Sequence, residues 1–344
     1  VTTFSRRSAL LAALGAAAAV TTSACSDTAT GSAGSTSAPS SGSLDKVNYL
    51  TSFGTFGRES YAYVAQKKGF FTDAGLDVTI KPGNGSGDNI KLLAGGQADI
   101  VVVDFAALAI SVGKGQVSGL TAFAAILQRS LAGLMTLDGY GITTPKDLEG
   151  KKVGDPTGSI NTTLFPTYAK LAGVDASKVT FVNLPAPNLP AALASRSVDV
   201  IGQFVVGKPT IEAAAAGKSA VTLAYSEYLT DLYGNTVITT DKLAKDKPDV
   251  VKRFRDALMK GLAYAVDNPD EAGQILASAI PTAKAPIASA ELKIMASYVR
   301  ASGSTVGAMT EDRVARSLAI LSGSGTIPSG VQPSQLVSFG LAPQ

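Results

Sequence analysis

From residue 44 onward, short runs of β-branched and other apolar residues alternate with stretches whose apolar positions recur every three or four residues, separated by glycine-rich or polar turns. That alternation predicts an α/β fold with mostly parallel strands. Residues 47–52 read as a first strand, leading through Phe53-Gly54-Thr55-Phe56-Gly57-Arg58-Glu59 into a helix carrying Tyr61, Val64 and Ala65. Residues 77–81 form a second predicted strand, 82–87 a glycine-rich turn, and a helix follows through Ile90, Leu92 and Leu93. The wholly apolar run 100–103 is what the interior of a parallel sheet demands.

A second set of such units begins near Tyr140, with strands expected at 152–154, 179–182, 198–201 and 220–223, a turn at 155–159 and a helix over 162–171 that carries Pro166. Residues 94–101 and 193–200 resemble each other: small or polar residues, an aspartate (Asp99, Asp199), then an apolar strand. A further strand at 236–239 precedes a helix-rich tail. There, Asp246-Lys247-Pro248-Asp249 is a helix start, and Val250, Phe254, Leu258, Leu262 and Ala265 recur at helical spacing. The expected arrangement is two α/β lobes, with the chain crossing near 135–137 and returning near 233–237. The first lobe is then discontinuous, 44–136 plus 235–344, and the second is 137–234.

The amino terminus follows a different rule. Arg6 and Arg7 precede an uncharged stretch at 8–24 whose strongly apolar part, 9–20, is too short for a bilayer-spanning helix, which needs about 20 apolar residues. Residues 1–24 therefore read as an export signal, and Ser5-Arg6-Arg7 resembles the twin-arginine type. Thr22-Ser23-Ala24-Cys25 resembles a bacterial lipobox, which makes Cys25 the expected lipid attachment site and the protein an extracytoplasmic, membrane-anchored lipoprotein. Residues 25–43, almost wholly Ser, Thr, Ala and Gly after Cys25 and Asp27, are expected to be a flexible tether.

Composition narrows the chemistry. Thirty basic residues against 27 acidic ones in 344 give no broad field for a nucleic-acid backbone. The chain has no histidine and one cysteine, which removes Ser-His-Asp and Cys-His catalysis, imidazole metal sites, multi-thiolate zinc sites and internal disulfides. Neither a catalytic residue, a metal nor a cofactor is expected.

Four segments carry a resemblance: Ala65-Gln66-Lys67-Lys68-Gly69-Phe70-Phe71-Thr72-Asp73-Ala74-Gly75-Leu76-Asp77-Val78, Leu92-Leu93-Ala94-Gly95-Gly96-Gln97-Ala98-Asp99-Ile100, Leu148-Glu149-Gly150-Lys151-Lys152-Val153-Gly154 and Asn268-Pro269-Asp270-Glu271-Ala272. In this order, behind a lipoprotein signal, they resemble the ABC-importer solute-binding family that handles nitrate, sulfonates, taurine and thiamine-precursor pyrimidines. The resemblance implies the two-lobed periplasmic-binding-protein type II fold with a two-strand hinge. It further implies a monomer that captures a small solute in the interlobe cleft and delivers it to an ABC permease in the membrane. Each motif also has a purely structural reading, since Gly69 closes a helix and Gly95-Gly96 turns into a strand.

Ligands of open α/β sheets gather outside the carboxyl ends of the strands. In the first lobe these positions are 53–58, 84–88 and Asp104-Phe105; in the second, 155–159, 185–188 and Gln203-Phe204. Thr157 and Ser159 precede a helix whose N–H groups can face a ligand oxygen, the alternative being a plain N-cap by Ser159, and Ser86 carries the same two readings. Phe53, Phe56, Phe204 and Tyr233 can sandwich a flat ring or simply fill core, with Tyr233 expected at the rear wall. Asp104, after an apolar strand, needs a partner, and Arg58 and Lys208 are the basic candidates. With Asp88, Asp104, Asp155 and Asp231 outnumbering those two, a neutral or nitrogen-rich organic solute such as a pyrimidine is favoured over a sulfonate. Two rivals stand beside transport: a ligand-sensing lipoprotein that feeds a receptor, and an enzyme like the eukaryotic thiamine-pyrimidine synthases. Those synthases consume a histidine and hold pyridoxal phosphate on a lysine, and this chain has no histidine.

Overall fold

The computed structural model describes residues 43–300 and 305–343. The expected export signal, Cys25 and nearly all of the expected tether lie outside these residues. The first sheet contains β1 (Asp45–Leu50), β2 (Leu76–Lys81), β3 (Ile100–Asp104) and β4 (Leu120–Ala125). The second contains β5 (Gly133–Leu137), β6 (Lys152–Asp155), β7 (Thr180–Asn183), β8 (Val200–Gly202) and β9 (Ala220–Ala224), after which β10 (Asn235–Thr240) returns to the first. Helices α1 (Ser60–Lys67), α2 (Phe70–Asp73), α3 (Ser86–Ala94) and α4 (Phe105–Gly113) connect the first sheet, and α5 (Ile160–Ala172), α6 (Leu189–Ala194) and α7 (Lys208–Ala214) the second. A helical tail follows: α8 (Asp241–Asp246), α9 (Pro248–Asp267), α10 (Pro269–Ala279), α11 (Ala285–Val299) and α12 (Glu311–Gly323).

The two sheets share one plan. Their strand orders are β2-β1-β3-β10-β4 and β7-β6-β8-β5-β9. In each, the first three strands are parallel and the fourth, the strand entering from the other lobe, is antiparallel to both neighbours. The repeated aspartates serve that plan. Asp99 accepts the N–H of Asn48 at 2.7 Å and Asp199 that of Lys152 at 2.9 Å, so each closes a backbone donor on the neighbouring parallel strand, β1 or β6. The expected α/β two-lobed architecture, discontinuous first lobe and pair of crossings are all present.

The crossing lies earlier than the hydrophobic pattern placed it. Met135 and Leu137 sit inside β5, paired with β8 and β9, and the chain changes lobe over 126–132. Residues 120–137 are apolar apart from a few polar side chains, so only Gln128-Arg129-Ser130 marks the break. The return occupies 225–234, close to its expected place.

Assigning all of 235–344 to the first lobe also needs correction. Helices α9 and α10 pack on α1, α11 packs on both of them, and Gly261 is required beside α1 because a Cβ would meet the Tyr61 carbonyl oxygen at 2.5 Å. Beyond them the chain crosses over: the Thr167 hydroxyl on α5 bonds Ser324 and Thr326 at 2.9 Å, and Val314, Leu318, Leu321 and Ile327 share one apolar cluster with Tyr168 of the second lobe and Val103 of the first. This terminal strap also grips both crossings. The Arg313 guanidinium bonds the Gln128 side chain at 2.8 Å and its carbonyl oxygen, and stacks 4.3 Å from the Tyr233 ring, while Ser317 donates to the carbonyl of Asp231.

Arg313→Ala removes these links and leaves the Gln128 carbonyl without its charged donor. It should cost about 2–3 kcal/mol, read as a lowered urea midpoint with an unchanged m value.

Candidate functional site

In the first lobe, the loops after β1 and β2 are stitched together by an isolated bridge between Phe53 and Asn84 and by bonds from Gly54 N–H to Gly83 O (2.9 Å) and Gly85 N–H to Ser52 O (3.1 Å). Beneath them Asn89, fully buried on α3, donates to the carbonyls of Thr51 (2.9 Å) and Val102 (2.8 Å) and accepts the Asn84 N–H at 3.2 Å. The loops after β1 and β2 and the middle of β3 are thus tied together by one amide side chain that the sequence pattern did not single out. The nearest signal was its polar character on an otherwise apolar helix face.

Ser86 and Asp104 are brought together, for the Ser86 hydroxyl accepts the Asp104 N–H at 3.0 Å. Asp104 caps α4, its Oδ1 accepting from the Ala106 N–H at 2.9 Å, while the buried Oδ2 has no partner among the described residues. Burial pushes this carboxyl up to about 7, against the pull of the helix N–H groups of Ala106 and Ala107.

In the second lobe Asp155 closes β6. Its Oδ2 accepts from the Ser159 hydroxyl (2.5 Å), the Thr162 hydroxyl (2.6 Å) and the Thr162 N–H (3.1 Å), and burial still raises its pKa above the usual range. Oδ1 lies against Gly202, where a Cβ would come within 2.2 Å. The Ser159 hydroxyl also caps α5 by accepting the Asn161 N–H at 3.0 Å, which is the plain N-cap reading. Thr157 is exposed and its N–H donates to Asn183. Gln203 turns back to accept the Phe204 N–H at 2.8 Å. Lys208 pairs with Glu212 at 3.8 Å. Tyr233 is buried in the return crossing, edge-on to Phe105 at 5.8 Å and accepting the Thr310 N–H. It joins hinge to strap.

The lobes meet at Arg58. Phe53 and Phe56 stack at 6.0 Å, and the Arg58 guanidinium lies 4.5 Å from the Phe56 centroid and 5.1 Å from that of Phe204, which belongs to the second lobe. Four of the sequence-selected residues therefore form one stack across the interface. Beside it Glu59, wholly buried, accepts from the Ser52 hydroxyl, the Ser52 N–H (3.2 Å) and the Tyr61 hydroxyl (3.5 Å), and burial raises its pKa despite the neighbouring Arg58. Glu291, from α11, accepts from the Thr210 hydroxyl of the second lobe at 3.1 Å, and burial raises its pKa against the pull of the Arg58 charge, the Thr210 bond and the N–H groups of Arg58 and Gly57. A cavity of about 440 Å³ adjoins this junction, lined from one lobe by Phe56 and Gly57, from the other by Thr210 and Ala213, and from the tail by Ile287 and Glu291. Glu59, Thr210 and Glu291 were missed by sequence reasoning. For Glu291 one signal existed: an acid on the helix face that Ala288, Leu292 and Met295 bury.

Asp104 supplies a pH test. Between the ordinary carboxyl value of 3.8 and about 7 the folded protein holds a proton that the unfolded chain has lost, so the group's contribution to stability falls as pH rises through that window. Asp104→Asn keeps the cap and cannot ionise. Its stability relative to the wild type should therefore improve between about pH 4.5 and pH 7.5, by up to roughly 4 kcal/mol; a pH-independent difference in urea midpoint would contradict the assignment.

The geometry has counterparts in known proteins. A family model described as NMT1/THI5 like matches residues 60–272. A formylaminopyrimidine-binding protein of Halalkalibacterium halodurans is 25% identical over 227 residues, covering 63% of this chain and 65% of that protein. A 4-amino-5-hydroxymethyl-2-methylpyrimidine phosphate synthase of Legionella pneumophila is 24% identical over 229 residues, covering 65% of this chain and 70% of the synthase. Among solved structures, the periplasmic aliphatic sulphonate binding protein SsuA from Escherichia coli superposes with a TM-score of 0.68 at 15% identity, over 87% of this chain and 92% of that one. The periplasmic nitrate-binding protein NrtA from Synechocystis PCC 6803 does so with a TM-score of 0.68 at 12% identity, over 87% of both. These two share the fold, which is the two-lobed one that the sequence predicted. Matched by the family model over more than half of its length, the chain belongs to the NMT1/THI5-like family.

Proposed function

We propose that this protein is an extracytoplasmic solute-binding protein that captures a small organic molecule between its lobes and hands it to an ABC permease. The observation that carries this reading is the meeting of strand-end loops from both sheets, Phe56 and Arg58 on one side and Phe204 on the other, at a junction the two crossings can open and close. A solute lodged there touches both lobes and so favours the closed state by whatever affinity it has for the second one. Micromolar binding needs about −8 kcal/mol, within reach of a few hydrogen bonds and one buried ring. The fold likeness to a sulphonate- and a nitrate-binding protein and the similarity to a pyrimidine-binding one agree with this reading.

The similarity to pyrimidine phosphate synthases raises a catalytic alternative. We favour binding because the chain contains no histidine, the residue such chemistry would consume. Export and anchoring rest on residues 1–43, with Cys25 as the lipid-bearing residue.

Thermal-shift screening with nitrate, taurine, ethanesulfonate and 4-amino-5-hydroxymethyl-2-methylpyrimidine should find a solute that raises the melting temperature. The same solute should reduce the radius of gyration in small-angle scattering; unchanged scattering at saturation would overturn the closure mechanism. Cys25→Ser should move the protein from the membrane to the soluble fraction, and full membrane retention of that variant would remove the lipid anchor from the proposal.

A further inference from the structure

Three charged side chains are buried together where the lobes meet. Arg58 is 6% exposed and Glu59 1%, with 3.4 Å between Nε and the Glu59 carboxylate. Glu291, also 1% exposed, feels the Arg58 charge from α11 but forms no ion pair among the described residues. One cation against two carboxylates leaves a negative charge uncompensated in a dry setting, which is costly unless a further cation or a proton answers it. The surrounding loops supply no such cation. Asp104 and Asp155 each keep an oxygen without a donor as well, Lys208 is held by Glu212, and Lys284 is exposed.

Glu291 is also the carboxylate with room beside it. Its Oε1 accepts from Thr210 at 3.1 Å, while Oε2 is buried with no hydrogen-bond partner among the described residues. The side chain lines the cavity of about 440 Å³, a volume that suits a small organic molecule. Neither Arg58 nor Glu59 lines that cavity, so Glu291 alone presents the surplus charge of the cluster to it. The other walls are chiefly apolar: Phe56 from the first lobe, Leu276 and Ile287 from the tail, Ala213 from the second lobe. A single charged acceptor in such a chamber calls for an occupant with one cationic N–H head and an apolar body.

We propose that the cavity takes a small organic ammonium, its N–H groups bonding Glu291 Oε2 and its apolar body lying against Phe56, Leu276 and Ile287. Because the Thr210 hydroxyl reaches the same carboxylate from the second lobe, occupant and closing lobe share one anchor, and filling the cavity favours closure. The inference rests on the solute-binding reading and adds to it the charge of the solute. Burial raises the pKa of both carboxylates, as expected of a cluster short of one cation, and a bound ammonium takes the place of the proton.

The test is calorimetry on the full chain with four probes: 2-phenylethylamine and butylamine, both protonated at neutral pH, the uncharged 2-phenylethanol and the anion 3-phenylpropionate. The wild type should bind at least one amine, and at least about tenfold more tightly than the alcohol or the propionate. Glu291→Gln keeps an acceptor for Thr210 and removes the charge, so it should weaken amine binding by roughly tenfold or more; circular dichroism establishes that the variant is folded. Should it fail to fold, Ala213→Phe, at an exposed position on α7, fills the cavity without touching the charge cluster and should abolish amine binding. Either folded variant binding the amine within about twofold of the wild type overturns the proposal, as does a preference for the alcohol. Binding and compaction with 3-phenylpropionate, or with a solute from the thermal-shift screen, but with neither amine overturns the assigned charge and leaves the solute-binding reading intact. No binding and no change in scattering with any of these molecules overturns both.

Discussion

The insertion of β10 between β3 and β4 is the constraint on which the remaining architecture depends. Its antiparallel register sets Asn235 opposite Asp104 and Thr239 opposite Ile100, so the returning chain enters the first sheet at the carboxyl end of the parallel strands. β5 enters the second sheet by the same rule, antiparallel between β8 and β9. Each lobe thus receives the connecting chain on the edge that also carries its strand-end loops. The crossings and the interlobe junction lie side by side because the pairing permits no other entry, so 126–132 and 225–234 connect the two lobes that meet at Arg58, Phe204 and Thr210.

The strand-end loops of both lobes hold several buried polar groups, and the balance among them is narrow. An unpaired carboxylate or amide in a dry setting costs several kcal/mol, so the loops provide for most of their own acceptors: Asn89 for Thr51 and Val102, Ser52 and Tyr61 for Glu59, Ser159 and Thr162 for Asp155. What is left over is informative. Asp104 holds one oxygen without a donor and answers by keeping its proton to higher pH.

Much of this was legible in the chain itself. The alternation of elements, the twin aspartate motifs and the discontinuous lobe follow from periodicity and from residues that act on their near neighbours. Phe53, Phe56, Arg58 and Phe204 were selected by topology alone, as positions past strand ends, and they do converge. The misplaced crossing came from an apolar stretch, 120–137, whose two strands and connecting hinge read alike. Ser159 and Gln203 became local turn and cap residues because a nearby N–H competes effectively for a short polar side chain. Glu291 and Asn89 show in the spacing only as polar residues on an apolar helix face, for their partners are supplied by folding: Glu291 meets Arg58 and Thr210 across 80 or more intervening residues.

The strap leaves a mark on the order in which the molecule can be assembled. Residues 133–224 form a contiguous lobe whose sheet needs nothing from elsewhere, whereas the opening strands must wait for β10 before their sheet is filled and for α12 before the hinge is braced. Contacts this distant in sequence slow the search for the native state. A ribosome extruding this polypeptide would release the bracing element only after the strands of both sheets, so the second lobe can close on itself while the hinge is still unbraced.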